Sequence, residues 1–187
     1  MVRVINLRQK FIVDRMLGRL VAWLRIFDYD TRSALELGIE EDEDSRLIQI
    51  ALAQGRMLLS RDRVLVERAK KAGAEAVLIS PDHVAGQLVE LMKHVPVVAE
   101  PVMERCTACN AHLRKATDED VKRAGSLVPE HLVSEGKEFW ICERCGKIYW
   151  PGSHWKNIRK TAAEIRELFK SAGEQQRPDQ NGQGHQV

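Results

Sequence analysis

Four cysteines stand as two C-x2-C pairs, Cys106 and Cys109 in "CTAC" and Cys142 and Cys145 in "CERC", with 32 residues between the pairs. Paired thiols at this spacing offer four sulfurs to one cation, the ligand set of a tetrahedral structural zinc site. Sulfur fills every position, so none is left for a catalytic water, and such a metal would hold a fold together without doing chemistry. The paired spacing argues against inert buried thiols, and a reducing compartment would argue against disulfides. The second group that could do chemistry is acidic. Asp14 directly follows the apolar run "FIV", Asp62 follows "LLSR", Asp44 opens an apolar helical pattern, and Asp82 follows "LISP".

The acids matter only if the fold gathers them. "KFIV" (10–13) reads as a short strand. After it, Leu17, Leu20, Val21, Leu24 and Phe27 mark one face of a helix. "TRSALEL" (31–37) is a weaker second strand. A helix over 44–54 ends at Gly55, placed as a C-cap. Strand 56–60, helix 63–73, strand 75–80 and helix 82–95 follow. Alternation at this spacing predicts an α/β fold with a parallel sheet and right-handed crossovers. In such sheets ligands bind outside the carboxyl ends of the strands. Asp14 and Asp62 fall at that edge, and Asp44 and Asp82 fall near it. Carboxylates gathered in one crevice repel and raise one another's pKa values. A hard divalent cation, Mg²⁺ or Mn²⁺, removes that repulsion. The competing role for each acid is a helix N-cap, which Asp serves well. Asp14 and Asp62 are the harder pair to explain as caps, because both closely follow buried strands.

The sheet domain is expected over 1–98. A proline-bracketed connector opens a cysteine-bearing ribbon over 99–155. "KNIRKTAAEIRELFK" (156–170) is a final helix with Ile158, Ala162, Ile165 and Phe169 on one face, and the Gln- and Gly-rich 171–187 reads as disordered. The 187 residues are 44% hydrophobic and 30% charged, a globular composition. No run approaches the roughly 20 apolar residues of a membrane span, and no signal peptide is evident at the N-terminus, so a cytoplasmic protein without membrane contact is expected.

The net charge of +2 is unevenly spread. Residues 1–25 hold six Lys/Arg against one Asp, residues 26–100 nine against fourteen acids, and residues 101–170 thirteen against ten. Either this is a mixed solvated surface, or basic flanks hold phosphates beside an acidic metal site. Arg15 and Arg19, four apart on the polar face of the first helix, and Arg61 beside Asp62 are the candidates for phosphate contact. His154, in "WPGSHW", is a candidate for RNA contact or for turn structure. Tyr149 and Trp150 would either stack on bases or fill a small ribbon core.

"FIVDRMLGRLVAWLRIFDYDT" and "DSRLIQIALAQGRMLLSRDRVL", with "RCTACN" and "CERCGKIYWPGSH", resemble the PIN-like RNase family over roughly 10–158. The similar branch is the C-terminal RNase domain of the mutator-seven exonuclease, which carries a zinc ribbon after its nuclease core. The resemblance implies a PIN-like parallel sheet, an appended zinc ribbon and a metal-dependent ribonuclease. It assigns Asp14, Asp44 and Asp62 to Mg²⁺ or Mn²⁺, with Asp82 as a fourth candidate. Ser60 stands where threonine is common in the family and keeps the hydroxyl. Asp42 and Glu43 share the stretch with Asp44, which stands three residues before the apolar pair Leu47-Ile48. The resemblance favours Arg19 among the basic residues, since it includes "MLGRL". Ribosome-maturation endonucleases with a similar ribbon suggest a ribosome or RNA-processing assembly as a partner. The rival reading is a non-catalytic zinc-ribbon adaptor that binds RNA or protein. A haloacid-dehalogenase-like phosphatase would want D-x-D after the first strand, where this chain has "DRM".

Overall fold

The computed structural model describes residues 9–38 and 41–174. The basic residues Arg3 and Arg8 and most of the polar tail lie outside them. Four strands form a parallel sheet in the order β2-β1-β3-β4: β1 Lys10–Val13, β2 Asp30–Ser33, β3 Met57–Ser60 and β4 Ala76–Leu78. Helices α1 (Gly18–Ile26), α2 (Glu43–Gln54) and α3 (Arg63–Lys71) connect them, and α4 (Val84–His94) follows β4.

Strand side chains alternate between faces, and this sorts the core into two layers. Phe11, Val13, Leu59 and Val77 pack on one face with α1 and α4, while Ile12, Leu58 and Ala76 pack on the other with α2 and α3. The connection from β1 to β2 runs to one side and that from α2 to β3 returns to the other. The sheet therefore changes direction between β1 and β3, which are neighbours. The crevice outside their carboxyl ends is where this architecture places ligands.

Two elements differ from the sequence expectation. The second strand stops at Ser33, because the Ser33 hydroxyl accepts a hydrogen bond from the Leu35 amide (3.3 Å) and turns the chain into a 3₁₀ turn over Ala34–Glu36. The final helix is longer than expected. As the last helix of the described residues it runs Ser153–Glu174, so the start of the segment expected to be disordered is helical; residues 175–187 lie outside the described residues. Its Ala162 and Ile165 complete the layer of Phe11 and Val13, beside α4.

Between α4 and that helix lies the ribbon, a three-stranded antiparallel sheet of β5 (Arg114–Lys115), β6 (Trp140–Ile141) and β7 (Ile148–Tyr149). Two short helices, α5 (Asp118–Ala124) and α6 (Glu130–Ser134), are inserted after β5, which makes the last helix α7. A capping box starts α5, in which Thr117 and Asp120 each accept from the other's amide. Val128, Phe139 and Ile148 form the ribbon's own small core, with Trp150 packed against it.

Polar contacts bolt the ribbon to the sheet. Arg25, in the last turn of α1, is 1% exposed. It donates to the Thr31 carbonyl (3.0 and 2.7 Å), to both Glu36 oxygens (2.7 and 2.6 Å) and to the Thr107 carbonyl of the ribbon (3.0 Å). Asn110 donates to Asp30 (2.7 Å) and accepts from the Thr31 amide (3.0 Å). Arg56 clasps the same Asp30 through two nitrogens (2.8 and 3.0 Å). Burial pushes the Asp30 carboxyl up, but the bonds from Arg56 and Asn110 outweigh it and hold it below the usual range. Arg25 ends α1 and Asp30 starts β2, so the ribbon docks at the amino ends of the strands.

Candidate active site and metal centre

The four cysteines are gathered by two matching turns. The Cys106 amide donates to Ala111 O (2.8 Å) and its carbonyl accepts from the Asn110 amide (2.9 Å); Cys142 repeats both bonds with Lys147 (2.9 Å) and Gly146 (2.8 Å). The fifth residue of each turn needs a positive φ, 68° at Asn110 and 72° at Gly146. Glycine supplies this freely, and asparagine tolerates it. Asn110 also uses its side chain to hold Asp30. The four sulfur ligand atoms lie within 4.8 Å of one another. Burial raises the Cys106 thiol, but bonds from the Tyr149 hydroxyl and the Cys109 and Ala108 amides outweigh it and bring it to about 7. Burial pushes Cys109 up to about 12. Four sulfurs this close cannot all ionise without a cation among them, and the set suits a tetrahedral thiolate metal centre.

At the other end of the sheet, Asp14 follows β1 and is 8% exposed. It precedes a 3₁₀ turn over Arg15–Leu17, yet its side chain caps nothing. Instead Oδ2 accepts from the Ser60 hydroxyl at 2.6 Å. The Ser60 oxygen in turn accepts from the Asp62 amide (2.9 Å), so one hydroxyl at the end of β3 joins the two acid-bearing loops. Asp62 does cap a helix, since its Oδ1 accepts from the Val64 (2.7 Å) and Leu65 (3.3 Å) amides at the start of α3. Its other oxygen takes no hydrogen bond among the described residues.

The remaining acids turn toward cations. Asp44, in the first turn of α2, meets Arg68 of α3 at 2.9 Å. Glu43 meets Arg15 at 2.5 Å, and Asp82 meets Arg61 at 2.5 Å while its side chain stays 89% exposed. Asp42 precedes α2 with no side-chain cap bond. Arg19 is exposed and pairs with no group among the described residues. The structure thus joins Asp14 and Asp62 through Ser60, and directs Asp44 and Asp82 to arginines. Among the described residues, only the cysteines form a group of three or more metal-capable side chains with ligand atoms within 4.8 Å.

Sequence reasoning missed Arg68 as the partner of Asp44, and no local signal marks a pair 24 residues apart. It also missed the exposed apolar rim. Met16 (62% exposed), Leu35 (58%) and Val64 (62%) each follow a strand at this edge. His154 sits far from it, beside the ribbon at the start of α7.

A family model described as the Mut7-C RNAse domain matches residues 9–162. No curated protein and no solved structure gives a match. The matched span runs from β1 through the ribbon into α7, covering both the carboxylate edge and all four cysteines, and the chain belongs to the Mut7-C RNAse domain family.

Proposed function

We propose that the chain is a metal-dependent ribonuclease acting at the carboxyl edge of the sheet, with RNA as substrate and a structural zinc on Cys106, Cys109, Cys142 and Cys145. The observation that carries this reading is the buried Asp14, held by Ser60 at the crevice between β1 and β3 and joined through it to Asp62, in a chain of an RNase family. The donor set fits a hard cation. Asp14 and Asp62 each keep one oxygen outside the hydrogen-bond chain, and Asp44 is held only by a half-exposed ion pair of about 0–1 kcal/mol, which leaves it free to turn. Asp14, Asp44 and Asp62 would hold Mg²⁺ or Mn²⁺, with Asp82 as a further ligand. When bound, such a metal supplies an activated water and charge neutralisation at the leaving oxygen.

The chain's own residues do the rest. Ser60 fixes the Asp14 carboxylate in one orientation. Arg15, Arg19 and Arg61 surround the edge and would hold phosphates, and the apolar rim of Met16, Leu35 and Val64 offers contact to unstacked bases. A reducing, cytoplasmic compartment keeps the cysteines available to zinc.

One observation favours a second reading. Asp44, Glu43 and Asp82 all lie against arginines, an arrangement that a non-catalytic RNA- or protein-binding adaptor would also show. Asp14→Asn separates the two, since it removes a charge and keeps the shape. Mg²⁺- or Mn²⁺-dependent RNA cleavage should fall at least about a hundredfold, or about 2.7 kcal/mol, with zinc content unchanged. Purified wild-type protein with no metal-dependent cleavage would favour the adaptor, and full cleavage by the Asp14→Asn protein would take the catalytic site away from this edge.

A further inference from the structure

Two cavities flank the seam between ribbon and sheet, at the amino ends of the strands. The first, about 430 Å³, brings Tyr149, Trp150 and Trp155 against Ala22 and Ile26 of α1, and its size falls within the ~300–1,000 Å³ of small-molecule pockets. Lys147 and His154 line it without a carboxylate, as does Arg105, which is held behind the wall by Asp28 (3.3 Å) and the Asn110 carbonyl (2.8 Å). The Trp150 indole nitrogen stands over Gly152, where an added Cβ would meet it at 3.1 Å, and it donates to no group among the described residues. Lys147 lies 5.6 Å from the centre of the Tyr149 ring.

The second cavity, about 390 Å³, is polar. Arg32, Arg56, Arg105 and Arg144 line it against Asp30 and Glu36. Those two acids are already held by Arg56 and Arg25. Arg144 uses one nitrogen on the Cys109 carbonyl (2.9 Å) and Arg32 one on Gln54 (3.3 Å), leaving the rest of each guanidinium to solvent. Arg105 lines both cavities, so an aromatic chamber and an arginine chamber adjoin across one side chain.

Resting on the ribonuclease reading for its choice of ligand, we propose that this seam docks single-stranded RNA away from the catalytic edge. A base enters the aromatic chamber, its phosphate lies on Lys147 beside the Tyr149 ring, and the next phosphate reaches Arg144 and Arg32. An indole donor without a partner, aromatic faces, and Lys147, Arg144 and Arg32, which no acid pairs among the described residues, match a base and its phosphates. Duplex RNA does not fit, because its bases are paired and stacked and none is free to enter the chamber. The nine residues of α1 alone separate the seam from the Asp14 edge by about 13 Å, so the docked nucleotide and the cleaved bond are different positions on one strand. The ribbon then acts as a grip that keeps a strand in reach of the edge.

The test measures binding in zinc-loaded Asp14→Asn protein, where turnover does not interfere. The probes are a labelled single-stranded RNA, the same strand in a duplex, an abasic strand with the same phosphates, and a short acidic–apolar peptide. The single strand should bind about tenfold tighter than the duplex or abasic strand, as expected for the loss of one base stack, and should quench tryptophan fluorescence. Lys147→Glu and Arg144→Glu, both exposed, should each weaken it about tenfold with zinc content and melting temperature unchanged. Equal binding of abasic and base-bearing strands would overturn the proposal, as would full affinity in both charge-reversal variants or preference for the peptide. Cleavage by wild-type protein of a dinucleotide too short to reach the seam separates the two readings. If the edge is inactive, neither length is cut while seam binding persists. If the seam is wrong, both lengths are cut and the seam variants cut long strands normally.

Discussion

The two ends of one parallel sheet are built on opposite plans from the same residue types. At the amino end, arginines are buried and the charges multiply bonded: Arg25 reaches three acceptor groups, and Asp30 is held by Arg56 and Asn110 at once. At the carboxyl end, only Asp14 is buried, it has a single bond to Ser60, and the surrounding pairs of Arg15, Arg61 and Arg68 are exposed. A buried pair with every acceptor matched resists change, because removing one partner leaves the other uncompensated. An exposed pair is worth about 0–1 kcal/mol and exchanges readily with ions. The amino end is therefore a joint, and the carboxyl end is a place where a cation or phosphate can compete.

The largest break of this contrast is Cys142→Ser. It should abolish metal binding, worth roughly 10–16 kcal/mol in small zinc-folded units, and melt the ribbon's core of Val128, Phe139 and Ile148 while β1–β4 stay folded. Hydrogen exchange checks it: fast amides in β5–β7 with protection kept in β1 and β3 is the expected result, and loss in both would mean the ends are not independent. Next is Arg25→Ala, expected to cost about 3–5 kcal/mol in urea unfolding, with RNA cleavage per folded molecule nearly unchanged.

Ser60→Ala should cost about 1–2 kcal/mol of stability and lower cleavage about tenfold, while Ser60→Thr restores both; single-turnover kinetics would read it. Arg19→Ala is the smallest in stability, within about 0.5 kcal/mol. It should weaken RNA binding and reduce the salt slope by about one. A large fall in melting temperature would make Arg19 structural.

The strand–helix alternation was legible because it is written in local periodicity, and Asp14 because it directly follows a buried strand. Gly55 as a C-cap was legible for the same reason; its φ is 58°. What escaped depends on pairs distant in sequence. Arg68 reaches Asp44 across two helices, and Asn110 reaches Asp30 across 80 positions. The register of side chains in α7 predicted an apolar face, with no indication that α4 would cover it. The helices after β5 were missed although Thr117 and Asp120 form a local capping box, since the cysteine spacing suggested a ribbon alone.

The position of α7 in the chain bears on how the protein is made. Leu88 and Leu91 of α4 and the neighbouring strands share a core with Ala162 and Ile165, yet α4 ends at His94 and α7 begins at Ser153. At a synthesis rate of roughly 5–20 residues per second, that apolar face waits several seconds for its cover. During the delay the nascent sheet presents a sticky surface of the kind chaperones bind. A chain cut short after the ribbon would keep that surface bare, even with its metal in place and its carboxylate edge formed. Arrival of α7 is then the event that turns a nascent chain into one the cell's proteases leave alone.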